Sequence, residues 1–310
     1  MISELFSATV LIGILASGIR LATPYLYAAI GETFGQKSGV LNLGVEGQML
    51  LGAFAAFYVT FTTRNLGLGV LTAMIVGAIM GLAMAYVTVN LHAEQGISGI
   101  GFYLFGLGMS DLLFQKLLGT VETVKGFSPI YIHGLSDIPG LGEIFFKQNL
   151  LVYGAYLLVP IAWFVLNKTT LGLKIRSVGE NPDAADSLGV SVAKIRYFTI
   201  ILGGTLSGIA GASLSIALLN VFQQNMTSGL GFIAVALVYF GAWRPVGVLG
   251  GALLFSMINS LQLWIQVLGI PIPSDIAVMM PYVLTILVLV VTVSRVRAPS
   301  ALTKAFEREN

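Results

Sequence analysis

The sequence predicts an all-α polytopic membrane protein, and three observations predict it. Mean hydropathy is +0.90. Charged residues make up 10% of the chain, against roughly 25% in soluble domains, and hydrophobic residues reach 56%. Apolar runs of about 20 residues, the length that crosses ~30 Å of hydrocarbon as helix, follow one another along most of the chain. They fall at 5–30, 42–62, 68–91, 98–117, 150–166, 196–219, 229–243, 246–267 and 276–294. This pattern gives nine crossings within a single transmembrane domain, residues 1–310. Eight or ten stay open, because 5–30 can split and 229–243 is short enough to be re-entrant or broken.

Composition also excludes functions. The chain has no cysteine, hence no disulfide framework, thiol chemistry or cysteine metal site. Its two histidines, His92 and His133, lie in different loops, and no His/carboxylate cluster has metal-ligand spacing. The net charge of +2 does not point to nucleic acid, because the basic residues sit at span ends. Gly35-Gln36-Lys37-Ser38 fails the phosphate-loop pattern: no glycine directly precedes the lysine and no strand leads into it.

The first run carries Pro24 and Arg20. No Lys or Arg precedes Arg20, so the basic region of a signal peptide is missing and a retained span is expected. Arg20 is costly in lipid and calls for protein or water around it, either as a partner to a carboxylate or in a functional role. After a loop at 31–44, the second run places Asn42, Glu46, Met49 and Leu50 on one helical face by their spacing. A carboxylate among Leu, Val and Met points to a translocation route or to a buried ion pair with Arg20. Residues 92–101, with Gln95 and Ser98, interrupt the apolar pattern just before Phe102, and irregular backbone at membrane depth needs cover from protein or water. Asp111 is a further carboxylate within or near the edge of a span. The polar excursion 118–149 is expected to be a folded loop with a surface helix.

Three Gly-x-x-x-Gly pairs, Gly77/Gly81, Gly204/Gly208 and Gly247/Gly251, fall in runs and suit close helix packing. Orientation follows from basic residues. Lys37, Lys168, Lys174, Arg176, Lys194, Arg196, Arg244, Arg295, Arg297, Lys304 and Arg308 fall on one side. Only Arg64, Lys116, Lys125 and Lys147 fall on the other. The richer side is cytoplasmic by the positive-inside rule, so the amino terminus is outside and the carboxyl terminus inside. Residues 118–149 are then extracytoplasmic, and 167–196 and the tail 295–310 cytoplasmic.

The 167–196 loop carries strong helix signals. Asn181 is a good N-cap, Pro182 suits the first helical position and Asp183 faces the positive end of the helix dipole. Ala184 and Ala185 propagate the helix, and Gly189 ends it in the left-handed conformation. A two-turn helix, Pro182–Leu188, is too short to stand alone in water and needs a surface to dock on.

The run Arg176-Ser-Val-Gly-Glu-Asn-Pro-Asp-Ala-Ala-Asp-Ser-Leu-Gly resembles the coupling-loop motif of ABC importer permeases, in the branch serving ribose, branched-chain amino acids and nucleosides. Ser38-Gly-Val-Leu-Asn-Leu-Gly-Val-Glu-Gly-Gln-Met, Gly134-Leu-Ser-Asp-Ile-Pro-Gly-Leu-Gly and Asn225-Met-Thr-Ser-Gly-Leu-Gly-Phe-Ile-Ala-Val-Ala-Leu-Val are similar to the nucleoside (purine-type) and simple-sugar group of that branch. Arg244 departs from the smaller polar residue expected between Trp and Pro. The resemblance implies a non-enzymatic transport subunit in a bacterial inner membrane, carrying a nucleoside or a simple sugar. It implies a second homologous permease, a cytosolic ATP-binding cassette protein and an extracytoplasmic substrate-binding lipoprotein. No cofactor is implied in this chain; ATP and Mg belong to the partner ATPase. ATPase coupling is expected at Gly179, Glu180, Asn181, Pro182, Ala184, Ala185 and Gly189, and the substrate path at Asn42, Glu46, Gln95, Ser98 and Phe102. The rival reading is an ion- or proton-coupled transporter or channel acting without an ATPase, kept open by Glu46, Asp111 and the 92–101 break.

Overall fold

The computed structural model describes residues 7–269 and 297–307, with isolated positions at 279, 283 and 286. Most of the described residues are helical, as the apolar runs require. Helix α1 is Ala8–Lys37, α2 Val45–Thr63, α3 Leu66–Ala85 and α4 Gln95–Leu117. Helix α5 is Leu150–Lys168, followed by α6 Thr170–Glu180 and α7 Pro182–Ser187. Then come α8 Val192–Ser213, α9 Leu230–Phe240 and α10 Pro245–Val267. Single π-turns extend α3 (Tyr86–Asn90) and α8 (Leu214–Leu218).

Among the described residues six helices are long and apolar enough to cross a membrane: α1, α3, α4, α5, α8 and α10, with α3 and α8 counted through their π-turns. Helix α2 is not among the six; it opens on the polar Glu46 and Gln48 and is enclosed by other helices rather than by lipid. Helix α9 has 11 residues, about 16 Å of helix, and is too short to span alone. The run 276–294 lies outside the described residues.

Several sequence expectations change here. The first run does not split: α1 continues through Pro24 to Lys37, so the loop expected at 31–44 begins only at Ser38. Its last turns hold Glu32 and Gln36, whose polarity hid the helix; both are buried by protein. Helix α2 starts at Val45, so Asn42 lies in the preceding loop and does not share a helical face with Glu46. The irregular stretch within 92–101 ends at Glu94. That carboxylate caps α4 by accepting from the Ile97 and Gly96 backbone N–H groups, which hold its carboxyl below the usual range. Within 118–149 the surface helix is one π-turn, Gly142–Phe146.

Helix α8 is the axis of the bundle, its span 72% buried. Two of the three Gly-x-x-x-Gly pairs face each other: Gly77 and Gly81 of α3 meet Gly204 and Gly208 of α8, backbone against backbone, where no Cβ would fit. The third pair closes the α9–α10 hairpin, with Gly247 against the Gly241 backbone and Gly251 under Leu237.

The loops segregate to two faces. On one, Thr123 bridges Val221, Phe127 N–H donates to the Ile216 carbonyl, and Ile130 N–H donates to the Gln148 carbonyl. On the other, the tail 297–307 lies across the 38–39 turn, the α6–α7 junction and the start of α8. There Ala301 N–H donates to the Gly179 carbonyl at 2.9 Å and Thr303 N–H to the Gly39 carbonyl at 3.1 Å. Segment 219–243 connects the faces as a broken passage. Phe222 packs in the half near the first face against Phe54, Phe57 and Phe114, at ring-centroid distances of 5.2, 6.4 and 5.6 Å. The half-helix α9 completes the passage to Trp243, beside the end of α1.

Candidate functional site

On the tail-bearing face, Thr169 caps α6 through its side-chain oxygen, 3.1 Å from the Gly172 nitrogen. The sequence signals around 167–181 did not reveal this helix, because its residues, Thr-Leu-Gly-Leu-Lys-Ile-Arg-Ser-Val-Gly-Glu, are charged and rich in glycine. Helix α7 follows as the signals require. Asn181 Oδ1 accepts from the Ala184 N–H at 3.1 Å, Pro182 takes the first position and Asp183 the first turn. Gly189 has φ +82°, and its N–H and that of Val190 close the helix onto the Asp186 and Ala185 carbonyls.

The predicted coupling residues divide between two surfaces. Gly179 and Ala185 face inward: Gly179 lies on the Lys37 carbonyl with no room for a Cβ, and Ala185 is buried. Glu180, Asn181 and Ala184 are exposed, and Pro182 and Gly189 lie at the ends of α7. Glu180 accepts from the Ser300 hydroxyl at 3.0 Å. Leu188, which the sequence reading did not single out, is 85% exposed on the same module. It is an apolar side chain left uncovered on a helix too short to be stable alone.

Inward of this face runs a buried polar seam. Glu32 Oε1 accepts from Gln36 Nε2 at 3.1 Å and from the Asn42 N–H at 3.0 Å, and Gln36 Oε1 accepts from Trp243 Nε1 at 2.8 Å. Asn42 Nδ2 donates to Gln48 Oε1 at 3.3 Å, and Gln95 Oε1 accepts from the Leu41 N–H at 2.8 Å. Ser38 meets Thr199 hydroxyl to hydroxyl at 2.7 Å. Arg196, 2% exposed, donates from Nε to the Ser38 carbonyl at 3.3 Å and from Nη1 to the Lys304 carbonyl at 3.1 Å. Glu32, Gln36, Trp243 and Arg196 escaped the sequence reading because each looks like an ordinary span-end residue. Only the fold brings positions more than a hundred residues apart together.

Glu46 has a definite task in this seam. Its carboxylate accepts from the Thr227 hydroxyl at 2.6 Å, the Gly229 N–H at 2.7 Å and the Gly231 N–H at 2.6 Å. These donors open the half-helix α9, whose first N–H groups have no intrahelical partner and form the positive end of its dipole. An anion there supplies both the acceptor and the opposite charge. Gly231 permits the approach, since a Cβ there would lie 2.6 Å from the Glu46 Cα. The ion pair with Arg20 is not formed: Arg20 is exposed on α1, with its Nε 3.4 Å from the Ala16 carbonyl.

Of the five predicted path residues, Asn42, Gln95 and Phe102 gather around 41–44, Phe102 packing on Gly44. Glu46 follows in the first turn of α2, buried like Asn42 and Gln95. Ser98 and Phe102 stay half-exposed on α4, with the Ser98 hydroxyl donating to the Glu94 carbonyl at 2.6 Å.

Residues 14–289 match the family model described as branched-chain amino acid transport system, permease component. The chain belongs to this permease family. It is 38% identical to the guanosine ABC transporter permease protein of Bacillus subtilis, over 90% of this chain and 92% of the relative. Identity to the nucleoside ABC transporter permease protein of Lactococcus lactis is 36%, over 93% and 94%. A relative named "Putative glucose ABC transporter permease protein", from Haloferax volcanii, is 38% identical over 96% and 98%. No solved structure matches the chain. The permease is thus a multi-pass membrane subunit of an ABC importer, forming the path of a small molecule. Two of the stretches that carry the resemblance, 38–49 and 225–238, meet at the Glu46 clasp.

Proposed function

We propose that this permease carries nucleosides, driven by a separate ATPase that docks on α6–α7. The observation that carries the coupling role is Leu188, an 85% exposed leucine on a capped two-turn helix whose other apolar side is already buried. The names of the relatives support a nucleoside or simple-sugar cargo, with two of the three naming nucleosides. A second homologous permease would complete the path, and an extracytoplasmic binding lipoprotein would deliver the cargo. The membrane is that of a bacterial cell. In this topology α1 begins outside and 219–243 is one broken crossing; the basic-residue bias puts the α6–α7 face in the cytoplasm.

Within this reading the substrate path runs beside α4, where Ser98 and Phe102 offer a hydroxyl and a ring for a sugar and a base. Asn42, Gln95 and Glu46 form the wall behind them. The ATPase-independent transporter reading loses its main motive, because both Glu46 oxygens are taken up by the start of α9. The test is uptake of labelled nucleosides and sugars by the reconstituted complex, with and without ATP. Nucleoside accumulation that needs ATP is expected. Accumulation driven by an ion gradient without ATP, or of sugars alone, would overturn the mechanism or the cargo respectively.

A further inference from the structure

A cavity of about 540 Å³ opens at the edge of the coupling face, where the ends of α1 and α5 meet α6 and the α9–α10 turn. Three cations line it from three separate elements: Lys37, Arg176 and Arg244. The Lys37 ammonium interacts electrostatically with both guanidinium groups and with the Glu180 carboxylate, so three positive charges face one negative. Like charges held together in a low-dielectric rim repel one another unless an anion joins them.

Two further observations indicate where that anion comes from. Trp163, exposed on α5, lines the same cavity beside the buried Trp243, and Lys168 lies 5.9 Å over the Trp163 ring; an exposed Trp with Lys marks the headgroup level of a bilayer. On α5, the exposed Leu157, Ile161 and Phe164 form a stripe at helical spacing that continues to Lys168, over the ring of the cavity-lining Trp163, a surface for acyl chains. The turn is held by unusual backbone. Ala242 and Trp243 both have positive φ, +52° and +54°, which seats the Trp243 indole on Gln36 and leaves Arg244 exposed at the cavity. Two successive non-glycine residues in that region are costly and persist where the surroundings over-determine them.

We propose that this cavity binds the phosphate headgroup of an anionic phospholipid of the cytoplasmic leaflet. The Arg176 and Arg244 guanidinium groups fork the phosphate oxygens and Lys37 supplies a third charge. Because Arg176 stands on α6, the lipid ties the coupling module to the ends of α1 and α9.

The test uses the assembled transporter in nanodiscs of phosphatidylcholine with or without phosphatidylglycerol, reading retained lipid by native mass spectrometry and stability by thermal melting. Wild type is expected to retain phosphatidylglycerol in preference to phosphatidylcholine and to melt higher with it. The double variant Arg176→Gln/Arg244→Gln should retain about tenfold less, the loss of a charge-assisted bidentate contact. Lys174→Gln/Lys194→Gln, which removes two exposed cations of the same face outside the cavity, should match wild type. No preference in wild type, or equal retention by the two double variants, would overturn the proposal even if one variant assembled poorly. A rise in melting temperature with glycerol 3-phosphate in phosphatidylcholine, and none with phosphatidylglycerol, would assign the cavity to a free anion and overturn the lipid.

Discussion

At the residue scale, Glu46 shows why a carboxylate stands inside a membrane bundle. It accepts from three donors at the head of α9. Glu46→Ala strands all three, at about 1–3 kcal/mol for each buried donor left unmade, and should lower thermal stability of the assembled complex sharply. Glu46→Gln keeps one acceptor oxygen and should fall between. A Glu46→Ala complex as stable as wild type, measured by melting in the same lipid, would refute the clasp. Gly179 gives a second residue-scale prediction. Because it lies against the Lys37 carbonyl, Gly179→Arg should abolish folding and membrane yield rather than merely uncouple ATP hydrolysis, and fluorescence size-exclusion of the variant decides between these outcomes.

At the scale of elements, helices written by local signals were legible in the sequence and those set by distant contacts were not. Helix α7 was readable because Asn181, Pro182 and Gly189 each act on their neighbours. Helix α6 and the last turns of α1 were not, since their polar residues become affordable in helix only against the tail and the α9–α10 turn. The glycine pairs were visible as motifs, but the pairing of Gly77/Gly81 with Gly204/Gly208 was not, because spacing says nothing of the partner. Glu46 was legible as unusual, whereas its partners lie more than 180 positions away. Since Asn181 supplies the α7 cap, Asn181→Ala should destabilise that helix by about 1 kcal/mol. Faster hydrogen exchange is expected at 182–188, with the spans unchanged; protection equal to wild type would contradict the cap.

For the whole molecule, the described tail works as a strap. It joins the 38–39 turn, the α6–α7 junction, His92 and the buried Arg196. Removing residues 297–310 leaves the Gly179 and Gly39 carbonyls without these donors and Arg196 without the Lys304 carbonyl. Lower thermal stability and faster exchange at 37–41 and 177–181 should follow, while the helical content measured by circular dichroism is retained. Unchanged exchange in both segments would show that the strap is idle.

On the proposed reading, a separate ATPase drives this permease through α7. The chain contains no cysteine, so Leu188→Cys places a single thiol at the exposed centre of that surface. The decisive measurement is cross-linking from this thiol, with a short photoactivatable maleimide, in the assembled complex. An adduct with the ATP-binding subunit is predicted, absent from Leu157→Cys on the lipid-facing stripe of α5. Labelled Leu188→Cys that yields no ATPase adduct in a complex still hydrolysing ATP and importing its cargo would contradict the claim.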